Sequence, residues 1–309
     1  MIIGIPRALL YYWYGGVWED FWHAAGAETL VSPPTDQMIL TAGTEVALDE
    51  LCLPVKIFLG HLRYLNSRVD YVMLPHLIKV EADAYICPKF MGLPDLARQT
   101  VPDIGSKLIS VTAGQKSADF RTGLFHAAQE LGLKVPKNFL PPKGRYIPDN
   151  PGQALVQSYE KWSVPKSGLT VGLLGHPYCL YDPELNLNLL DFLSNQGLRF
   201  ITPELMPASY LDVGAGKLNK SLFWTIGRTQ FDALEWMLND PVMKIDGFIH
   251  LASFACGPEA VVGDLLERRI KAARKPLLKL NFEEQSGEAG MITRLEAFLD
   301  LIHYQRRAC

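Results

Sequence analysis

The sequence predicts an α/β protein built of two Rossmann-like parallel-sheet domains. Three observations carry the fold. Short aliphatic runs alternate with longer helix-like segments, the order produced by βαβ units, whose strands pair in parallel. The chain has 309 residues, 48% of them hydrophobic, enough for two cores. The stretch "VPKNFLPPKGRYIPDNPGQA" at 135–154 is dense in Pro, Gly and Asn and reads as a surface connection. It puts the domain boundary near 165, giving domains 1–165 and 166–309.

The strands are apolar runs of four to eight residues bounded by turn formers. They fall at "MIIGIP" (1–6), "ETLVS" (28–32), "DYVMLP" (70–75), "LTVGLLG" (169–175), "LRFIT" (198–202), "DGFIHLAS" (246–253) and "PLLKLNF" (276–282). The intervening segments predict helices over 17–25, 55–65, 117–131, 183–195, 221–238, 258–272 and 289–303. Pro54, Pro183 and Pro258 mark three helix starts, because proline at the first helical position loses no hydrogen bond, and Asp182 is a good N-cap ahead of Pro183. The halves repeat in spacing. A second strand starts 26 residues after Ile2 and a third at Asp70, while the second half has a strand 29 residues after Leu169 and another at Asp246. Duplicated modules and two independent α/β domains both produce such a pattern.

Composition narrows the partners. A net charge of -3 without a long basic run offers nothing to nucleic acid or to an anionic membrane surface. No apolar stretch approaches the roughly 20 residues of a membrane span, and "MIIGIPRALLYYW" lacks the basic start and cleavage site of a signal peptide. The chain therefore reads as cytoplasmic. Five cysteines, odd in number and widely spread, do not make a disulfide framework; in a reducing compartment thiols serve packing, metal binding or chemistry.

Four of them share a local context: Cys52 in "ELCLPVK", Cys87 in "YICPKF", Cys179 in "HPYCLYDPE" and Cys256 in "FACGPE", each followed by proline within four residues. This sets thiols at or just before helix N-termini, with Cys179 and Cys256 also just past the carboxyl ends of strands, where open α/β sheets bind ligands. Helix N-termini present free N–H groups and partial positive charge, which favour thiolates and anions. Gly257 would let backbone approach the Cys256 sulfur, and Pro258 starts the helix behind it. Cys309 has none of this context. Neither a C-x-x-C zinc signature nor ferredoxin spacing is present, and single cysteines are commonly small core residues, so a shared metal site and a set of core thiols both remain open from spacing alone.

Around these thiols, His176, Tyr178 and Tyr181 are candidate hydrogen-bond or proton donors, against ordinary packing. His61 and His76 could reach the site from the first domain, and Lys56 and Lys89 could balance anionic charge, against plain hydrogen bonding and solvation. Glu259 reads as a helix-terminal carboxylate. "GAGKLNKS" at 214–221 lacks the spacing of a phosphate loop, and neither a Ser-His-Asp elbow nor an H-E-x-x-H motif occurs.

"IGIPRALLYYW", "CLPVK" with "GHLRYL", "DYVMLP" leading to "YICPK", then "HPYCLYDPELN", "SFACGPE" and "AGMITRLEAFLDLI" together resemble the 2-hydroxyacyl-CoA dehydratase activase-related family, akin to 2-hydroxyglutaryl-CoA dehydratase subunits and double-cubane cluster reductases. The resemblance spans both halves. It implies a [4Fe-4S] cluster between Rossmann-like domains and one-electron chemistry fed by a separate ATP-hydrolysing iron–sulfur activator protein. By matching motifs, Cys52, Cys87 and Cys256 take cluster-ligand positions. Cys179 departs from the family, where histidine is commoner at this point. As a fourth thiolate it would saturate the cluster and suit electron transfer; standing off, it would leave one iron open for substrate. Five cysteines do not furnish the six thiolates of a double cubane.

Three function classes follow. One is a [4Fe-4S] redox component for reduction or dehydration of a small-molecule or acyl-CoA substrate, which a homodimer would also accommodate. The second is an iron–sulfur electron carrier or accessory protein without its own catalysis. The third is a zinc-binding or metal-free α/β protein whose cysteines are core residues. No nucleotide-binding signature of the activator ATPase appears, so the chain is expected to receive electrons rather than drive their uptake.

Overall fold

A computed structural model describes residues 1–81, 83–114, 120–134, 139, 168–206, 212–240 and 244–308. The connection expected at 135–154, apart from Phe139, and the boundary expected near 165 lie outside these residues. The chain divides into two compact units, one formed by Met1–Pro151 with Phe223–Thr225, the other by Gly152–Leu222 with Ile226–Cys309.

In the first unit the order is β1 (Ile2–Ile5), α1 (Tyr11–Ala24), β2 (Glu28–Val31), α2 (Gln37–Thr44), α3 (Leu53–Asn66), β3 (Tyr71–Leu77), β4 (Lys79–Glu81), β5 (Ala84–Tyr85), α4 (Pro88–Met91), α5 (Leu93–Thr100), β6 (Leu108–Ala113) and α6 (Phe120–Glu130). The second unit contains β7 (Thr170–Gly175), α7 (Pro177–Tyr181), α8 (Leu189–Asn195), β8 (Arg199–Ile201), α9 (Thr225–Asn239), β9 (Gly247–Ser253), α10 (Gly257–Ala272), β10 (Leu277–Phe282) and α11 (Glu288–Ala308). α9 opens on Thr225, the last residue assigned to the first unit.

Each unit holds a parallel four-stranded sheet, in the order β2-β1-β3-β6 and β10-β9-β7-β8. Counting strands within each unit, both sheets run second-first-third-fourth. The repeat in spacing is thus a repeat in topology. In both sheets the winding reverses between the first and third strands, so the ligand-binding crevice of an open α/β sheet falls at the carboxyl ends of β1 and β3 and of β7 and β9. β7 is buried at every position and β9 at all but one, the continuous apolar pattern of strands covered on both faces.

All seven expected strands form. The helix expected over 183–195 is instead a turn followed by α8, because Leu187 and Asn188 adopt left-handed backbone, with φ of 55° and 57°. Asp182 still caps that turn, accepting the N–H groups of Glu184 and Leu185 at 3.1 and 3.2 Å. The 214–221 segment is a loop whose Gly214 N–H is taken by Asp232 and whose Lys217 reaches Glu235 at 2.7 Å, so these groups are committed to the fold. Among the described residues no helix is long and apolar enough to cross a membrane.

His61 belongs to the packing of the first unit. It is fully buried on α3, with Nε2 3.1 Å from Thr35 Oγ1 and no partner for Nδ1. Burial above all, then the nearby Arg7, lowers its pKa to about 3 against the opposing pull of Asp36. The unfolded chain protonates this ring near 6.5. Between those values the unfolded state binds more protons, so stability present above pH 6.5 is lost as pH falls toward 3, by about 1 kcal/mol per pH unit. His61→Leu is expected to flatten the decline in denaturation midpoint between pH 6 and 4 relative to the parent chain; equal slopes would refute this.

Candidate functional site

Three of the four thiols start helices. Cys52 is the N-cap of α3, Cys87 of α4 and Cys256 of α10, each with proline in the first two helical positions. None has a side-chain cap hydrogen bond at its own helix. The expected coupling of thiol to helix-starting proline is therefore realised at these three. Cys87 and Cys256 also match in topology, since each caps the helix that leads from the third strand of its sheet toward the fourth. Within the first unit Lys89, two residues past Cys87, reaches the carbonyl of Glu50, two residues before Cys52, at 3.5 Å. The segments carrying the two thiols are thus neighbours.

Cys179 differs. It lies inside the short helix α7 at 1% exposure, and the N-cap there is His176. Cys52 is also buried, while Cys87 and Cys256 are partly exposed, and none of the four is in a disulfide.

In the second unit a buried polar network surrounds Cys256. Glu259, in the first turn of α10, is 2% exposed and turns inward instead of capping the helix. Its Oε2 lies 2.6 Å from Nε2 of His176, at the end of β7, and its Oε1 lies 2.5 Å from Nε2 of His250, in β9. Gln230, on α9, donates to Oε2 at 2.9 Å. His176 Nδ1 lies 2.5 Å from the Tyr178 hydroxyl, so both ring nitrogens are engaged. Burial opposes charge on both groups. Even so, the Glu259 carboxylate and then Cys256 raise the His176 pKa well above its ordinary value, and the two imidazoles hold Glu259 well below the usual carboxylate range.

A cleft of about 510 Å³ opens beside this network, lined by Cys256, Gly257, Glu259, His250, Lys279 and Asn281 among others. At Gly257 a Cβ would meet nothing within 4 Å apart from its chain neighbours, so no distant part of the protein presses on this backbone. The left-handed residue is Ala255, at φ 61°.

Other expected contributors separate. Tyr178 joins the network, whereas the Tyr181 hydroxyl is held by Thr202 and Glu204 at 2.5 and 2.7 Å. His76 pairs with Thr112 at 3.1 Å across β3 and β6, and Lys56 is buried on α3. Sequence reasoning missed His250 and Gln230. A signal was available: Glu259, Val262, Gly263, Leu266 and Ile270 are buried at helical spacing, and His250 interrupts an apolar strand that must face them.

Among the described residues no three His, Cys, Asp or Glu side chains are grouped to hold a metal ion. The donor chemistry itself suits an anionic, sulfur-bound group: among the described residues each unit carries two thiols, and Cys52, Cys87 and Cys256 stand before helix starts whose first N–H groups lack intrahelical acceptors.

Two parallel sheets with the same second-first-third-fourth strand order, each with thiols at helix starts, define the protein as α/β of the doubly wound type. The chain belongs to the family described as "CoA enzyme activase uncharacterised domain (DUF2229)", which matches residues 2–206 and so includes Cys52, Cys87 and Cys179. No curated protein matches it.

Proposed function

We propose that this chain is a [4Fe-4S] redox component of the 2-hydroxyacyl-CoA dehydratase type, receiving low-potential electrons from a separate ATP-hydrolysing activator for reduction or dehydration of a small substrate. The observation that carries the reading is the recurrence of one device, a cysteine N-cap followed by proline, at Cys52, Cys87 and Cys256, twice at matching points of a repeated topology. Membership in a CoA enzyme activase family supports an activator and an acyl-CoA-related reaction.

Cys52, Cys87 and Cys256 would hold the cluster, with Cys179 as the fourth thiolate. When bound, such a cluster supplies one electron at a time at low potential. The residues of this chain do the rest. Helix N-termini carry partial positive charge, which would favour an anionic group bound beside them. The buried network of Glu259, His176 and His250 grips the first turn of the helix that Cys256 caps and would hold that ligand's position.

Anaerobic purification tests the reading. The expected product is brown, with about four iron and four sulfide per chain and an EPR signal on dithionite reduction. A colourless chain, with zinc or with no metal, would overturn it in favour of thiols that serve packing.

A further inference from the structure

The loop that presents Cys256 does not fix the thiol by itself. Phe254 is 67% exposed, Ala255 sits in left-handed backbone, and Cys256 makes no cap hydrogen bond. Main-chain bonds tie Phe254 to Phe282 and Cys256 to Ser253, and the carboxylate next door ties the helix start to the sheet. Glu259 accepts one imidazole on each oxygen and an amide on Oε2, joining β7, β9, α9 and α10 at one buried point.

We propose that Glu259 is a positioning residue for Cys256: by gripping His176 on one side and His250 on the other, it fixes the first turn of α10, at whose N-cap Cys256 stands. This rests on the cluster reading above. It gives Glu259 a role distinct from helix capping, and gives His250 and Gln230 one as well.

The donor and acceptor inventory leaves little freedom. An ionised carboxylate only accepts, so both imidazoles present Nε2–H to it. The opposite edge of His176 is then turned to the Tyr178 hydroxyl 2.5 Å away, which fixes the ring plane. On the other side, His250 is wedged against α10 where Gly263 has no side chain; a Cβ there would lie 2.6 Å from His250 Cε1. His250 therefore cannot swing away to release the carboxylate, and each member of the clamp is seated by a group outside it. A ligand held at fixed geometry gives a cluster a single environment, and a wandering ligand gives mixed environments.

The test uses the full chain carrying Glu259→Gln, which turns one acceptor toward a donor and breaks the grip on an imidazole. In metal-free protein, backbone amides of residues 254–256 are expected to exchange with deuterium at least tenfold faster than in the parent chain. In cluster-loaded protein, iron content stays within twofold while the EPR signal broadens. Leu266→Ala, on the same buried helix face, is the control for a purely structural role and should move neither readout. Should the Gln variant fail to fold, His250→Asn carries the same expectation. Parent-like exchange, or an unchanged EPR signal, overturns the proposal. A parent chain without iron sinks the cluster reading instead, and the exchange arm still decides whether the clamp orders the loop.

Discussion

Gly60→Ala is expected to lower the free energy of unfolding by about 3 kcal/mol, a large part of the 5–15 kcal/mol that stabilises a typical domain. The cause is the crossing of α2 and α3. A Cβ on Gly60 would stand 2.0 Å from the Ile39 carbonyl oxygen, and one on Gly43 would stand 2.0 Å from that of Lys56. Both obstacles are backbone, so no side chain can move aside and the helices must separate. Gly43→Ala should behave alike, and Gly290→Ala, whose Cβ would meet nothing within 4 Å, should be close to neutral. Denaturant midpoints decide the matter. The crossing also sets the connection that delivers Cys52 to the start of α3, so the same variant should weaken metal retention.

The second large effect concerns the thiols. Cys52→Ala, Cys87→Ala and Cys256→Ala are each expected to reduce bound iron and sulfide at least tenfold after anaerobic reconstitution, because each removes a ligand that a helix start holds in place. Cys179→Ala should retain most of the iron but change the EPR spectrum, since Cys179 lies one turn inside α7 and His176 occupies the N-cap. An added small molecule that further perturbs the spectrum of that variant would favour an open iron and catalysis over electron carriage. Undiminished iron in all four variants would exclude these cysteines as ligands.

Much of the fold was legible because strands buried on both faces are written as unbroken apolar runs, as in "TVGLLG" and "GFIHLAS". β6 escaped notice: "LISVTA" carries Ser and Thr at its half-buried positions, and no apolar block announces it. α2 was missed for a related reason. It is eight residues long, with Thr and Gly in it, and its stability comes from the Asp36 cap and the packing on α3. The cysteine N-caps could be read because Cys–Pro and Cys-x-Pro are local signals. The partners of Glu259 could not. A carboxylate in a first helical turn already has a local explanation in the dipole, and His176 is 83 residues away in sequence, so only the repeated sheet topology brings them together.

The three residues Phe223–Thr225 belong with the first unit although the chain has by then built part of the second. They are no idle visitor: Phe223 stacks on Tyr85 with ring centroids 4.6 Å apart and accepts its N–H at 2.9 Å, and Trp224 extends the pairing. On the ribosome, the amino-terminal half therefore has to wait for residue 225 of 309 before its last piece is synthesised. A fragment cut after 151 would leave an aromatic ring and a main-chain donor at Tyr85 bare to water, so dissection of this polypeptide by simple truncation yields an incomplete module.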